Sequence, residues 1–185
     1  AKPGNVYFGI VSRLDAPVTG AMVIARTSKA ASRLTEAFRQ HKVEKIYLAL
    51  VEGRITDDAG ELVHYLRHDE RNRRVHTTTS QAEGAREAVL TYRTLARWDD
   101  SSLCEVKLQT GRKHQIRVQL AKIGHPLWGD RKYGATESFP RGIALHAWRL
   151  SFEHPVLRQP LDFKAPAPPY WPVNVHQHLR SARQA

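Results

Sequence analysis

Short apolar runs alternate along the chain with polar stretches punctuated by glycine and proline, and the period of each run predicts an element. Ala21-Met22-Val23-Ile24-Ala25 is continuous and of strand length, so it reads as a buried strand. Thr27 or Ser28 can cap a helix running to about Gln40, with Ala31, Leu34 and Phe38 on one face and Lys29, Arg33, Arg39 and Lys42 on others. Residues 43–53 are apolar at odd and even positions alike, which predicts a central strand covered on both sides, with Tyr47 in it. Residues 88–97 and 102–110 flank the short polar link Trp98-Asp99-Asp100-Ser101 and predict an antiparallel hairpin. Cys104, Val106 and Leu108 then face the core, Glu105 and Lys107 the solvent.

Further along, Ile116, Leu120 and Ile123 keep helical spacing ahead of Gly124 and Pro126, so a helix is expected to end there with His114, Arg117 and Ala121 on one face. Residues 143–152 read as a second largely buried strand and 160–165 as a short edge strand. Pro166-Ala167-Pro168-Pro169 breaks the chain before a final helix after Pro172. Two stretches are expected to be loops. Residues 55–80 are polar and turn-rich, and Arg67, Arg71, Arg73 and Arg74 precede the β-favouring Val75-His76-Thr77-Thr78-Thr79; this segment reads as a mobile basic excursion. In the second, from Trp128 to Gly134, glycines punctuate the turn and Asp130 is expected to tie down loop backbone.

Length and charge narrow the class. With 185 residues of which 41% are hydrophobic, the chain forms one domain, residues 1–185, of the α+β class, with a largely antiparallel or mixed sheet flanked by helices. A net charge of +11 favours a polyanionic partner. No apolar run is long enough to span a bilayer and no signal-peptide pattern appears, which leaves RNA or DNA rather than a membrane. Arg71, Arg73 and Arg74, together with Arg112 and Lys113, are the candidate contacts to a phosphate backbone. The lone Cys104 excludes an internal disulfide framework and argues against a cysteine zinc site, so a cytoplasmic protein is expected. His64 and His68 have the spacing of a helical metal pair, but no glutamate lies beside them and no third ligand is near. Neither metal nor cofactor is expected.

The most suggestive chemistry lies in Val11-Ser12-Arg13-Leu14-Asp15-Ala16-Pro17-Val18-Thr19-Gly20, where an arginine and a carboxylate stand two positions apart just before a turn. Asp15 is either a reactive carboxylate on a loop fixed by rigid structure or simply a turn residue bonding its own backbone.

Ser12-Arg13-Leu14-Asp15 through Thr19-Gly20, then residues 45–53 around Lys45-Ile46-Tyr47, then residues 110–121 with Gly124-His125-Pro126 and Gly129-Asp130, and last Leu145-His146-Ala147, follow one another in an order that resembles the RluA-like family of pseudouridine synthases. The resemblance covers nearly the whole chain. It implies the catalytic fold of that family and an enzyme that isomerises uridine in structured RNA, ribosomal or transfer, acting as a monomer. It also implies a role for each matching residue: Asp15 is the catalytic carboxylate, and Arg13 fills the space left in the RNA stack when the target base is flipped out. Tyr47 stacks on that base, Arg117 pairs with Asp15, and Leu145 forms an apolar wall of the pocket. Such roles suit the reaction. An adjacent guanidinium stabilises and orients a carboxylate, an aromatic ring holds a detached uracil, and a filler side chain offsets the few kcal/mol that base extrusion costs.

Two departures accompany the resemblance. Ser12 stands where the family usually has His, and Thr19 where it has Ser. The family also carries an earlier strand with its own Lys-Pro motif, which Lys2-Pro3-Gly4 does not match, so an upstream element of the fold is expected to be absent from this chain. The rival expectation is a catalytically inactive RNA-binding module of the same fold, with Ser12 as the first sign of decay. Asp15, Tyr47 and Arg117 together argue against it, since binding alone requires no such combination. A nuclease would need clustered carboxylates that are not seen.

Overall fold

Residues 44–52 form the strand around which the structure is layered, and the reason is their two apolar faces. The structure is a computed structural model and describes residues 7–182. In chain order the strands are β1 (Gly9–Ile10), β2 (Thr19–Gly20), β3 (Ile24–Ala25), β4 (Glu44–Glu52), β5 (Ala59–Asp69), β6 (Arg74–Thr78), β7 (Arg86–Arg97), β8 (Ser101–Leu108), β9 (Leu145–Glu153) and β10 (Pro160–Lys164). The helices are α1 (Ser28–Arg39), α2 (Gln115–Lys122) and α3 (Val173–Ser181), with a 3-10 turn at Arg131–Tyr133. Eight strands make one sheet in the order β10-β9-β4-β8-β7-β5-β6, antiparallel throughout except that β2 joins β9 in parallel. The expected α+β class with a mixed sheet is what is observed.

Alternation along β4 sends Ala49 and Val51 to one face of the sheet, where they meet Cys104, Val106 and Leu90 and are covered by Ile116 and Leu120 of α2. Leu48 and Leu50 point the other way and pack with Leu103 under Trp171 and with Val175 of α3. With both faces of the strand covered by helices, its near-continuous apolar sequence is accounted for. Helix α1 is capped by the Thr27 hydroxyl, which accepts from the Ala30 N–H at 3.1 Å, and its Leu34 packs with Val43, Leu150 and Phe152.

Three expectations need correction. Only Ile24 and Ala25 of the 21–25 run are in a strand; they pair with Gly9–Ile10 in a two-stranded ribbon on which Met22 and Ile24 are exposed among the described residues. The 55–80 excursion is not a loop. Its residues 59–69 and 74–78 form the antiparallel hairpin β5–β6, with Leu62, Leu66 and Val75 buried, so alternate positions do carry a core that the abundant polar residues obscure. His64 and His68 therefore lie on a strand, and the helical metal-pair geometry does not exist. Asp130 is the third and belongs to the site below. The turn at Lys2-Pro3-Gly4 lies outside the described residues.

Two glycines seat the 15–20 loop. Gly20 has φ +123, and a Cβ there would stand 2.3 Å from the Ala147 carbonyl oxygen, so only glycine lets β2 run this close beside β9. At Gly142 (φ +70) a Cβ would meet the Pro17 carbonyl at 2.4 Å. The same loop is closed by Val18 N–H bonding the Asp15 carbonyl at 2.9 Å, and Thr19 donates its hydroxyl to Nδ1 of the buried His146 at 2.8 Å. Thr19 thus supplies the one hydroxyl the position uses, although the resemblance leads one to expect Ser.

Candidate active site

Helix α2 is buried on nearly all sides, an unusual setting for a segment carrying Gln115, Arg117 and Gln119, and each polar side chain has a reason to be there. Gln115 closes the turn ahead of the helix: its Oε1 accepts from the Arg112 N–H at 2.9 Å and its Nε2 donates to the Val89 carbonyl at 3.1 Å. Gln119 donates to the Leu62 and Ala88 carbonyls at 2.9 and 3.0 Å. Arg117 is 5% exposed and divides its guanidinium between two acids. Its Nε and one Nη meet the two oxygens of Asp130 at 2.7 and 2.8 Å, and its other Nη reaches Oδ2 of Asp15 at 3.2 Å. Burial alone would favour a neutral guanidine; the hydrogen bonds and charges of Asp130 and Asp15 outweigh it and raise the Arg117 pKa. The guanidinium also lies over the Tyr133 ring, 5.0 Å from its centroid.

Asp130 is therefore not a backbone tie. It is 1% exposed, and both its oxygens serve Arg117. A buried carboxylate without such a partner would carry a large desolvation penalty, so the Asp130–Arg117 pair exists as a unit. Asp15 stays partly open to solvent and borders a cleft of about 480 Å³, within the usual range for a small-ligand site. Arg13, Lys45, Tyr47, Arg112, Leu145 and Ala147 line the same cleft. Leu145 is 4% exposed and forms apolar wall; Arg13 is exposed. The β4–β9 register shifts between Ile46 and Tyr47, leaving Trp148 of β9 without a partner in β4, a bulge of the kind often found next to sites. Tyr47 points to the α2 face, and burial, then the charge of Asp15, pushes its phenol pKa up to about 12. Its ring is therefore a neutral flat surface at any physiological pH.

Thus Asp15, Arg13, Tyr47, Arg117 and Leu145 are brought together, with Arg112 at the margin, where its Nε donates to the Glu87 carbonyl at 2.8 Å. Lys113 turns aside to His68, with Nζ 2.9 Å from Nε2. Arg71, Arg73 and Arg74 lie exposed at the β5–β6 turn and outside the cleft, although the Arg74 guanidinium reaches to 5.3 Å from the Tyr133 centroid.

Four residues carry weight that the sequence reading did not assign them. Besides Asp130, they are His114, whose Nε2 is 3.8 Å from Oδ2 of Asp15; Tyr133, whose hydroxyl is 2.7 Å from Nδ1 of His114; and Lys45. The Lys45 ammonium has no hydrogen-bond or ion-pair partner among the described residues, and burial lowers its pKa. A clue was present for His114, which shares the helix face of Arg117. For Asp130 and Tyr133 the sequence offers only a turn rich in glycine and basic residues.

Chemically the arrangement presents one carboxylate, oriented by a guanidinium that is itself locked, in a cleft with an aromatic wall, an apolar wall and a surplus of positive charge. Among the described residues there is no group of three or more His, Cys, Asp or Glu side chains arranged to hold a metal ion.

Comparison with known proteins is consistent with this geometry. Residues 1–122 match the family model described as RNA pseudouridylate synthase. The chain is 37% identical to the ribosomal large subunit pseudouridine synthase D of Vibrio cholerae, with 86% of this chain and 52% of that protein covered. To the protein of the same name from Nitrosomonas europaea it is 38% identical, covering 86% of this chain and 48% of the relative. The chain thus spans about half the length of the curated relatives it matches. Among solved structures, human RNA pseudouridylate synthase domain containing 1 superposes with a TM-score of 0.78 at 25% identity, over 97% of this chain and 81% of that one.

Proposed function

Since the chain belongs to the RNA pseudouridylate synthase family, we propose that it isomerises a uridine of structured RNA to pseudouridine, with Asp15 as the catalytic carboxylate. The observation that carries the proposal is the Asp15–Arg117–Asp130 chain at the wall of the cleft: 3.2 Å from Arg117 to Asp15, backed by two bonds of 2.7 and 2.8 Å to a buried acid. In the reaction the bond from C1′ to N1 breaks, the uracil turns, C1′ bonds to C5, the C5 proton is lost to water and N1 takes up a proton. Atoms and electrons balance within the nucleotide, so the demand on the protein is electrostatic and positional. Both cationic and imidazole contacts to Asp15 fall on Oδ2, which leaves Oδ1 available to the ribose. Tyr47 gives the uracil a face to stack on while it is detached, and Leu145 limits its travel. Arg13, exposed at the cleft, occupies the place vacated by the everted base.

The names of the relatives support RNA of the large ribosomal subunit as the substrate, and the lone buried Cys104 favours the cytoplasm as the compartment. Arg71, Arg73, Arg74, Arg112 and Lys113 are assigned to phosphates outside the pocket, since exposed cations near a binding cleft supply sequence-independent affinity. The protein acts as a monomer in this reading. No described helix is long and apolar enough to cross a bilayer. An inactive binding module would have no use for a buried Arg117–Asp130 pair that steadies an acid in a cleft.

Incubation with ribosomal RNA carrying tritium at uridine C5 should release tritium to water, and Asp15→Asn should abolish release while RNA affinity changes by no more than a few fold. Equal release by both proteins removes Asp15 from the chemistry.

A further inference from the structure

His114 is held in an uncommon backbone state. It has φ +54 and ψ +18, the left-handed region that a non-glycine residue seldom enters, immediately before α2. The turn that imposes this is built from Thr110, Arg112 and Gln115, with Thr110 Oγ1 bonding Gln115 Oε1 at 2.8 Å. Strain of this kind persists where the surroundings over-determine it, and it commonly marks a functional side chain.

The side chain so aimed is the middle member of a chain of contacts. The Val75 N–H, in β6 just past the turn of the basic hairpin, donates to the Tyr133 hydroxyl oxygen at 3.1 Å. The hydroxyl keeps its own proton to offer Nδ1 of His114, 2.7 Å away, the arrangement in which the neutral imidazole carries its proton on Nε2. Nε2 faces Oδ2 of Asp15 at 3.8 Å, beyond a direct hydrogen bond, as contacts to a catalytic group often are in the absence of substrate. The Tyr133 ring meanwhile lies under two guanidiniums, that of Arg74 from the hairpin and that of Arg117 from the site. Lys132, the neighbour of Tyr133, donates to the Arg73 carbonyl. Burial keeps His114 below the usual histidine range; Asp15 pulls the other way, while Arg117, Lys132 and Lys113 add to the lowering.

We propose that Tyr133 is a positioning residue that acts through His114: it fixes the imidazole as an Nε2–H donor to Asp15 and so ties the reach of the catalytic acid to the seating of the Arg71–Arg74 hairpin on the RNA. This rests on the uridine-isomerase reading, with Asp15 as its carboxylate. It adds two residues to the one-acid site, and makes hairpin contact something the acid can sense.

The test has two independent readouts. In protein labelled with ¹⁵N at histidine, two-bond nitrogen–proton spectra near pH 8 should show His114 as the Nε2–H tautomer, and Tyr133→Phe should lose that preference. A wild-type His114 protonated on Nδ1 overturns the proposal whether or not the protein modifies RNA. In the tritium-release assay, Tyr133→Phe should lower kcat about tenfold with KM for RNA within twofold. His114→Gln combined with Tyr133→Phe should be no slower than His114→Gln alone, because Tyr133 acts only through His114. Multiplying losses in the double variant, or a Tyr133→Phe enzyme with wild-type kcat, overturns it. Absence of release by the wild type refutes the isomerase reading and leaves the tautomer result to stand by itself.

Discussion

Asp130 sits on a loop whose composition announces a turn, yet its two oxygens take up Nε and Nη of Arg117 in an almost water-free setting. A side-on pair of that kind fixes the plane of the guanidinium as well as its position, and the third nitrogen is thereby directed at Asp15. Arg117 could not be replaced by lysine without losing this division of labour, because an ammonium has no rigid fork. Removing one partner of a buried pair costs about 3–5 kcal/mol, since the charge left behind stays desolvated. Asp130→Asn retains one acceptor, and Asp15 still faces Arg117, so the expected loss is toward the lower end of that span, seen as a reduced midpoint in urea unfolding. Turnover should fall by more than the change in KM, because Arg117 then orients Asp15 poorly. A variant that unfolds at the wild-type midpoint and turns over normally would show that Arg117 needs no anchor.

At the scale of elements, the β5–β6 hairpin does two things at once. Its inward residues Leu62, Leu66 and Val75 build core against α2, while its turn presents Arg71, Arg73 and Arg74 to solvent. A paired hairpin holds those three cations in fixed relation to the cleft, as the mobile loop expected from its polar sequence could not. If all three meet phosphates, changing them together to Gln should weaken RNA binding and lower the slope of log affinity against log salt by about 2–3, near one per phosphate contact. Filter binding of ribosomal RNA between 50 and 200 mM salt, roughly the range over which such slopes are read, measures this directly. An unchanged slope would place the hairpin away from the RNA. The 15–20 loop is a second element with a double duty: Gly20 and Gly142 let its backbone touch β9 and the 142 turn, and that contact is what holds Asp15 at the mouth of the cleft.

Over the whole molecule, a charge of +11 on 185 residues is distributed so that the cleft has many cations and Asp15 as its acid, a field suited to drawing in an anionic polymer. The same fold withholds water from histidines. Burial is the leading cause that lowers the pKa of His64, His114 and His146 beneath the ordinary 6.5. Folded, these groups resist protons that the unfolded chain accepts, so below pH of about 6.5 the unfolded state binds more protons and stability declines as pH falls toward the depressed folded values. Urea midpoints should therefore be lower at pH 5.5 than at 7.5, and His146→Gln should narrow the gap; equal midpoints at the two pH values would contradict the shared burial of these rings.

How much of this could be read beforehand depends on the range of the forces involved. Period and punctuation alone determined α1, β4, the β7–β8 hairpin, α2, β9, β10 and α3, because an element needs only its own alternation of apolar and polar residues and its own caps. The motifs around Asp15, Tyr47, Arg117 and Leu145 were legible through their resemblance to the RluA-like family, since by themselves these residues read equally as turn, core or helix face. The Arg117–Asp130 clamp, the Lys45 ammonium without a partner among the described residues and the Tyr133–His114 contact were decided by the tertiary structure, for they join positions 13 to 19 residues apart or depend on which charges lose their water. The β5–β6 pairing is local, but its buried Leu62, Leu66 and Val75 were obscured by the polar residues between them. Burial is a property of the packed chain, and it alone turned an ordinary loop aspartate into the anchor of the site.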